Sequence, residues 1–151
     1  VIPDIFSPGW IPALNRVIKK HRIDFIFPAY DDIIVALAKN EKKIHAKLLL
    51  HSLNTCNTTR SKKRTYHALQ NVVPTPRVFS SIDTVRSWPV FLKPDIGQGS
   101  QRTFLTNNRT EAEHHLHTHP DLLILEHLPG KEYTIDCFSS KKDGVLFAGG
   151  R

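Results

Sequence analysis

The first fifty residues alternate between helical and extended hydrophobic patterns. Apolar residues recur at helical spacing from Ile11 to Ile18, and a basic cluster then ends the segment. A second helical pattern lines residues 33–38, after an acidic pair that can cap its start. Short apolar runs at 24–27 and 47–50 follow the two helices and suit buried strands. This order predicts a parallel sheet with helices packed against it, as in the end of a doubly wound α/β lobe.

The rest of the chain changes to a pattern of short strands and turns. Polar residues crowd 54–60 and predict a linker, and a helix is predicted over 61–70 with Tyr66 and Leu69 facing inward. Another helix is predicted over 111–117. Predicted strands lie at 89–93, 103–106, 122–126, 132–138 and 145–148. These elements predict an α+β lobe that is built on hairpins.

The composition is typical of a folded protein. At 151 residues, with 40% hydrophobic and 23% charged residues, the chain can form one ordinary domain or two small lobes. No apolar run approaches the ~18 residues that a membrane span needs. Cys56 and Cys137 lie far apart in the sequence and are interpreted as buried free thiols. Because Val1 is not a start methionine, we expect the numbering to begin inside a longer gene product.

The formal net charge of +7 indicates an anionic partner. The basic residues fall into short clusters at 19–22, 42–43 and 62–64, and not into one stripe interleaved with aromatic residues. Such clusters are usually solvated helix ends, and a nucleotide polyphosphate would account for part of the remaining charge. We therefore do not expect nucleic acid as the principal ligand, and a basic nucleic-acid-binding domain stays open as an alternative.

The most informative stretch is a strand that ends in Lys93-Pro94 and is followed by Gly97 and Gly99. A lysine at the end of a buried strand is costly unless its ammonium meets an anion, and glycines let backbone N–H groups approach one closely. A phosphate is the natural occupant, while a lysine that only reaches solvent at a hairpin is the competing interpretation. The stretch is not a dinucleotide fingerprint, because Arg102 replaces the third glycine and a strand follows. It is not a P-loop either, because no lysine follows the second glycine. It predicts a flexible loop that could fold over a triphosphate as a lid.

Several motifs around this stretch occur in an order that is specific in combination. The Lys-Pro strand is followed by a Gly-x-Gly-Ser loop at 97–100 and by an apolar strand that ends Leu-Glu-x-Leu-Pro-Gly-Lys-Glu-Tyr. Upstream, Ser61 to Leu69 opens a helix with a basic pair, and Ile23 to Asp32 contains a strand and a turn. Together these motifs resemble the ATP-grasp superfamily, and most of all its carbamoyl-phosphate-synthase-like branch. The resemblance covers nearly the whole chain.

The resemblance implies positions for the phosphates of a bound ATP. Lys62 or Lys63 would contact the nucleotide phosphates, and Lys93 would reach the α-phosphate and the edge of the adenine. The loop that covers the phosphates would consist of Gly97, Gln98, Gly99 and Ser100.

The resemblance also implies positions for the nucleoside. Glu126, His127 and Leu128 match the hinge in which backbone groups contact the adenine amine and ring nitrogen. Glu132 matches the acid that hydrogen-bonds the ribose hydroxyls. From the residues alone, either glutamate would be interpreted as an ordinary surface residue at a turn.

For the whole molecule, the resemblance implies two incomplete lobes. Residues 1–60 would be the C-terminal part of a pre-ATP-grasp α/β lobe, and residues 61–151 the N-terminal part of a truncated ATP-grasp domain. The full-length protein would be a cytoplasmic, ATP-dependent ligase that phosphorylates a carboxylate and traps the acylphosphate with an amine or another nucleophile. In these 151 residues alone, sheet edges exposed by the missing strands could lead to a homodimer. A non-catalytic nucleotide-binding or regulatory module is the alternative.

The sequence departs from the family pattern at two positions. Ser61 replaces the customary acid before the lysine, and Arg102 replaces a frequent glycine after the loop. In addition, the family's Mg²⁺ ligands would lie beyond Arg151. Because phosphoryl transfer depends on metal ions, we expect no catalysis by these 151 residues alone and assign no catalytic residue among them.

A group of histidines suggests a separate zinc hypothesis. Glu111 and His115 stand at i,i+4 on a predicted helix, and further histidines lie close by, at His114, His117 and His119. No second group of ligands accompanies them, so a solvated helix end is the competing interpretation.

Overall fold

The computed structural model describes residues 2–97, 99, 101–140 and 142–151. Its first part is a small α/β unit with the element order α1 (Trp10–His21), β1 (Phe25–Ile26), α2 (Asp31–Lys39) and β2 (Lys47–Leu48). β1 and β2 pair in parallel. The predicted order of helices and parallel strands is therefore confirmed.

One apolar cluster holds this unit together. The buried residues of the cluster are Trp10, Ile18, Leu37, Ile44 and Leu48. The helix α1 ends at Arg22, which adopts the left-handed conformation with φ 54° and donates its backbone N–H to the Ile18 carbonyl. Basic residues occupy the last turn of α1, where the partial negative charge of the helix terminus favours them. This cluster of positive charge therefore has a local structural explanation.

Two short helices, α3 (Leu53–Arg60) and α4 (Lys62–Leu69), follow the α/β unit. The predicted linker over 54–60 is wrong, because this stretch is α3. The Ser52 side chain caps α3 by accepting the Thr55 N–H at 3.3 Å, and the Thr59 hydroxyl donates to the Thr55 carbonyl at 3.1 Å. The helix buries one residue, Cys56. Local hydrogen bonds thus stabilise α3. The helix lacks the apolar stripe by which a helix is recognised in a sequence.

The Arg60 side chain fastens α3 to the start of α2. Its guanidinium contacts Asp32 at 2.8 Å and Asp31 at 3.4 Å. On α4, the predicted inward position of Leu69 is wrong, since that side chain is 41% exposed, whereas Tyr66 is half-buried.

An antiparallel sheet forms the centre of the second part. Its strands are β3 (Val78–Phe79), β4 (Val90–Pro94), β5 (Phe104–Thr106) and β6 (Leu122–Glu126), in the spatial order β3-β6-β4-β5. The helix α5 (Arg109–Thr118) packs against one face. The buried residues between them are Val85, Val90, Leu92, Ala112, Leu122 and Ile124. β3 was not predicted, and the other three strands lie within one residue of their predicted bounds.

The hairpin of β7 (Ile135–Ser140) and β8 (Gly144–Gly150) ends the chain. Within the described residues, no other strand pairs with it, and its Phe138 and Phe147 side chains are 66% and 58% exposed. Cys137 on β7 is exposed as well, so its interpretation as a buried thiol is wrong, whereas Cys56 is buried. Across the described part of the chain, no helix has the length and apolar character to cross a membrane. The fold combines an α/β unit with an α+β unit, as predicted.

Candidate functional site

A cleft of about 340 Å³ lies on the sheet face opposite to α5. It contains two lysine side chains, the glycines of the loop between β4 and β5, and one carboxylate from the segment after β6. Its lining residues are Lys62, Phe91, Lys93, Pro94, Gly97, Gly99, Gln101, Thr103 and Glu132. Five of the residues that the sequence singled out therefore meet in one place.

Side chains along β4 alternate between the two faces of the sheet, and this alternation places Lys93 on the face of the cleft. Val90, Leu92 and Pro94 are buried, while Phe91 and Lys93 between them are half-buried and point to the other face. The Lys93 ammonium lies 5.6 Å from the centroid of the Tyr66 ring and 5.9 Å from that of Phe91. The aromatic faces attract this cation, and no carboxylate pairs with it among the described residues.

The start of α4 positions Lys62. Its Nζ donates to the carbonyl oxygens of Asp95 and Gly97, both at 3.2 Å. Burial lowers the pKa of Lys62, and the nearby Lys93 ammonium lowers it further. Two cations that repel each other are thus held in one cleft, and an anion between them would relieve that repulsion.

The glycine loop joins the antiparallel strands β4 and β5, as predicted. Gly99 has φ 67°, a conformation that glycine adopts without strain. Gln98 and Ser100, which were expected to cover phosphates, lie outside the described residues. Arg102 has φ 55°, so it occupies a backbone conformation that favours the glycine expected there, and its guanidinium pairs with Asp121 at 2.9 Å.

Glu132 is the carboxylate that closes the cleft on one side. It lies after Pro129-Gly130 in the segment between β6 and β7, and its side chain is exposed. Glu132 thus lines the same cleft as Lys62 and Lys93.

The expected hinge lies beside this cleft and does not line it. Glu126 ends β6, where its N–H donates to the Arg77 carbonyl at 2.9 Å and its carboxylate accepts the Arg77 N–H at 3.1 Å. The Glu126 side chain thus fixes β3 to β6. His127 and Leu128 follow outside any helix or strand, and Leu128 is 60% exposed.

Lys63 does not join the cleft either. It lines a separate depression beside Tyr66 and Arg77, while its backbone N–H donates to the Asp95 carboxylate at 2.8 Å. Of the two lysines that the sequence left open, the structure places Lys62 next to Lys93.

Sequence reasoning did not single out Phe91 and Asp95. The period of two along β4 would have placed Phe91 on the face of Lys93. Asp95 bonds to residues more than thirty positions away, so no local signal pointed to it.

The histidine group has a packing role in the structure. The His115 ring stacks on Phe104 with centroids 3.8 Å apart, and the His119 ring lies 6.0 Å from the same ring. The described part of the chain contains no group of three or more His, Cys, Asp or Glu side chains that could hold a metal ion. The zinc hypothesis therefore has no structural support there.

Part of this chain is similar in sequence to known proteins. Residues 59–149 match the family model of the ATP-grasp domain. A curated D-alanine–D-alanine ligase from Fusobacterium nucleatum is 29% identical over 89 residues, which are 58% of this chain and 31% of that protein.

Solved structures share the fold at low sequence identity. An L-amino acid ligase from Bacillus licheniformis superposes with a TM-score of 0.72 and 18% identity, over 97% of this chain and 37% of that one. A biotin carboxylase from Campylobacter jejuni, crystallised as a complex with beta-gamma-ATP, has a TM-score of 0.70 and 17% identity, over 93% of this chain and 37% of that one. The chain thus spans about a third of the length of these relatives. Because the family model covers more than half of its residues, the chain belongs to the ATP-grasp family.

Proposed function

We propose that the chain is the ATP-binding portion of an ATP-dependent carboxylate–amine ligase, or a related ligase, that acts through an acylphosphate. The observation that carries the proposal is the meeting of the Lys62 and Lys93 ammonium groups with Gly97 and Glu132 in one cleft. Two of the similar proteins bear ligase names, for D-alanine and for L-amino acids. An activity of this type for the whole protein, as in a carbamoyl-phosphate-synthase-like enzyme, is part of the proposal.

The cationic part of the cleft suits a triphosphate. Lys62 and Lys93 would each donate to phosphate oxygens, and the backbones of Gly97 and Gly99 would approach the same oxygens closely. Bound ATP would supply the phosphoryl group that activates a carboxylate. Lys62 is the lysine proposed for this role in preference to Lys63, whose side chain lies in the other depression.

The nucleoside would extend from the phosphates toward the end of β6. Glu132 would accept hydrogen bonds from the ribose hydroxyls. The Glu126 carboxylate is held by Arg77, so Glu126 would contribute through its backbone, together with the main chain of His127 and Leu128. This assignment uses main-chain groups at the end of β6 and in the segment that follows it.

Magnesium does not enter the proposed steps. The biotin carboxylase domain of the Hydrogenobacter thermophilus 2-oxoglutarate carboxylase, which has a similar fold, was crystallised as a dimer with MgADP, ADP and bicarbonate. Among the described residues no group of three or more His, Cys, Asp or Glu side chains could hold a metal ion, so no residue of the cleft is assigned as a magnesium ligand. Turnover would require ligands from elsewhere in the protein.

The wider assignments follow from the same proposal. Residues 1–60 would belong to a pre-ATP-grasp lobe that helps to bind the acceptor, and residues 61–151 to the ATP-grasp domain. The partners would be ATP and a carboxylate or amine substrate, the enzyme would be cytoplasmic, and a second copy of the chain would be its partner in a homodimer.

Calorimetric titration of the chain with ATP, with and without Mg²⁺, and with adenosine tests the proposal. Lys93→Ala should weaken ATP binding about tenfold to a hundredfold, since a hydrogen bond to a charged group contributes about 1.5–3 kcal/mol. It should change adenosine binding little. Glu132→Ala should weaken ATP and adenosine alike, because the ribose is common to both.

Lys63→Ala is the matched control, because it removes an equal charge from the neighbouring position outside the cleft. ATP affinity within about twofold of the wild type is expected for it. The nucleic-acid alternative would be supported if the wild-type chain showed no ATP binding and instead bound an oligonucleotide with an affinity that falls steeply with salt concentration.

A further inference from the structure

Asp95 connects the glycine loop to α4 through its side chain. Both of its carboxylate oxygens accept the Ser61 hydroxyl, at 3.0 and 2.9 Å. One of them also accepts the Lys63 backbone N–H at 2.8 Å. A carboxylate from the end of β4 thus occupies the first turn of α4, where backbone donors and the helix dipole favour a negative charge.

The main chain next to this carboxylate holds the first lysine of the cleft. The Asp95 carbonyl accepts both the Lys62 backbone N–H and the Lys62 ammonium, each at 3.2 Å. The Gly97 carbonyl accepts the same ammonium at 3.2 Å. Side-chain and main-chain bonds of one residue therefore fix the position of Lys62 relative to the loop.

Ser61 gives this arrangement its particular form in this chain. It is the N-cap of α4, accepts the Arg64 N–H at 3.1 Å, and is 5% exposed. The family pattern has an acid at this position. Here the negative charge comes instead from Asp95, across the gap between the sheet and the helix.

We propose that Asp95 is a positioning residue, whose carboxylate locks the first turn of α4 to the glycine loop and so keeps the Lys62 ammonium beside Lys93 in the cleft. The inference rests on the proposed function for the identity of the ligand, a nucleoside triphosphate. Asp95 is not among the residues that are proposed to contact the nucleotide, so its role is an addition to the proposed function.

The electrostatics of Lys62 support this role. Burial and Lys93 lower the pKa of Lys62, and the negative charge of Asp95 opposes that change. Without the Asp95 charge, the pKa of Lys62 should fall further. Any carboxylate this close to Lys62 would oppose the change through its charge, so the comparison of ATP with adenosine binding tests the positioning itself.

The first test uses the ligand-free protein. The titration of Lys62 is followed by NMR of its side-chain nitrogen in the wild type and in Asp95→Asn. The variant should titrate at a lower pH than the wild type. Asp83→Asn, which breaks an exposed pair with Arg109 far from the cleft, is the matched control and should leave Lys62 unchanged. An unaltered Lys62 titration in Asp95→Asn overturns the proposal.

The second test uses ATP and adenosine as ligands. Asp95→Asn should weaken ATP binding about tenfold and adenosine binding less than about twofold. The substitution loosens the start of α4 and with it Lys62, which would contact only the phosphates, and adenosine has none. Adding Ser61→Asp should restore most of the ATP affinity by placing a carboxylate at the helix start. Equal losses for ATP and adenosine, or no recovery in the double variant, contradict the positioning role.

Two further measurements keep the outcome unambiguous. Should Asp95→Asn fail to fold, as judged by thermal unfolding, Asp95→Glu replaces it. That variant keeps the charge, so Lys62 should titrate as in the wild type, while ATP binding falls severalfold because the longer side chain shifts α4; equal loss of adenosine binding overturns the proposal. If the wild type binds no ATP, the proposed function fails, and an unaltered Lys62 titration in Asp95→Asn still overturns the role of Asp95.

Discussion

The ion pair between Arg60 and Asp32 allows a quantitative test of how burial controls charge–charge coupling in this protein. The Arg60 Nη2 atom lies 2.8 Å from Asp32 Oδ1, with side chains 11% and 39% exposed. The Arg109–Asp83 pair has nearly the same separation, 2.7 Å, but its side chains are 55% and 70% exposed. The two pairs therefore share a distance and differ in their access to solvent.

Because the two ion pairs have nearly equal separations, the difference between their Coulomb energies depends mainly on the effective dielectric constant around each pair. Unit charges 4 Å apart attract by about 1 kcal/mol in water and about 4 kcal/mol at an effective dielectric constant of about 20. Desolvation of the Arg60 guanidinium offsets much of that gain. We expect a coupling free energy of about 1–2 kcal/mol for Arg60 with Asp32. The exposed pair should show no measurable coupling.

Double-mutant cycles measured by urea unfolding provide the assay. One cycle combines Arg60→Gln with Asp32→Asn, and the other combines Arg109→Gln with Asp83→Asn. Raising the salt concentration should leave most of the first coupling, because its guanidinium is shielded from counterions. Equal coupling in the two cycles, or complete loss of the first at high salt, would refute the argument that burial sets its strength.

Further predictions concern the core, the backbone and the titrating groups. Leu92→Ala should lower the free energy of unfolding by about 2–5 kcal/mol in a denaturant titration, because this side chain is fully buried. Arg22→Gly should be about 1 kcal/mol more stable than Arg22→Ala in the same assay, since position 22 has a positive φ. Cys137 should react with a thiol reagent in the native protein, and Cys56 only after unfolding, as followed by mass spectrometry. Burial and a neighbouring ammonium lower the pKa of Lys62, so it loses its proton at a lower pH than an exposed lysine. Calorimetric ATP affinity should therefore decline toward alkaline pH earlier in the wild type than in Lys62→Arg, and parallel profiles would contradict this.

The sequence predicted those elements whose signal is a local hydrophobic period. The strand over 122–126 was predicted at its observed bounds, since its apolar run ends in a charged residue. The helix α3 was missed because it buries only Cys56, and its stability depends on a serine cap and on the Arg60 pairs with a distant helix. β3 was missed because a strand of two residues is too short to show an alternating hydrophobic pattern. Only its pairing with β6 defines it as a strand.

The residues of the candidate site likewise fall into those that a local sequence pattern predicts and those that only the structure identifies. Lys93 and the glycines were identifiable because a strand end and a loop are local patterns. The choice between Lys62 and Lys63 needed the structure, since neighbouring residues on a helix point in different directions. Asp95 was also beyond local inference, because its partner Ser61 is 34 positions away.

Under the proposed function, the cleft is a cationic site whose lysine side chains are ordered before the anion binds. Lys62 and Lys93 repel each other, so a freely mobile Lys62 side chain would move toward solvent. Two loop carbonyls hold it in place, and the Asp95 carboxylate holds the loop to α4. Ordering a lysine side chain costs up to about 2 kcal/mol of conformational entropy, and here that loss occurs on folding and not on binding. A substitution that only loosens Lys62 should therefore reduce ATP affinity by an amount comparable to removal of one phosphate contact.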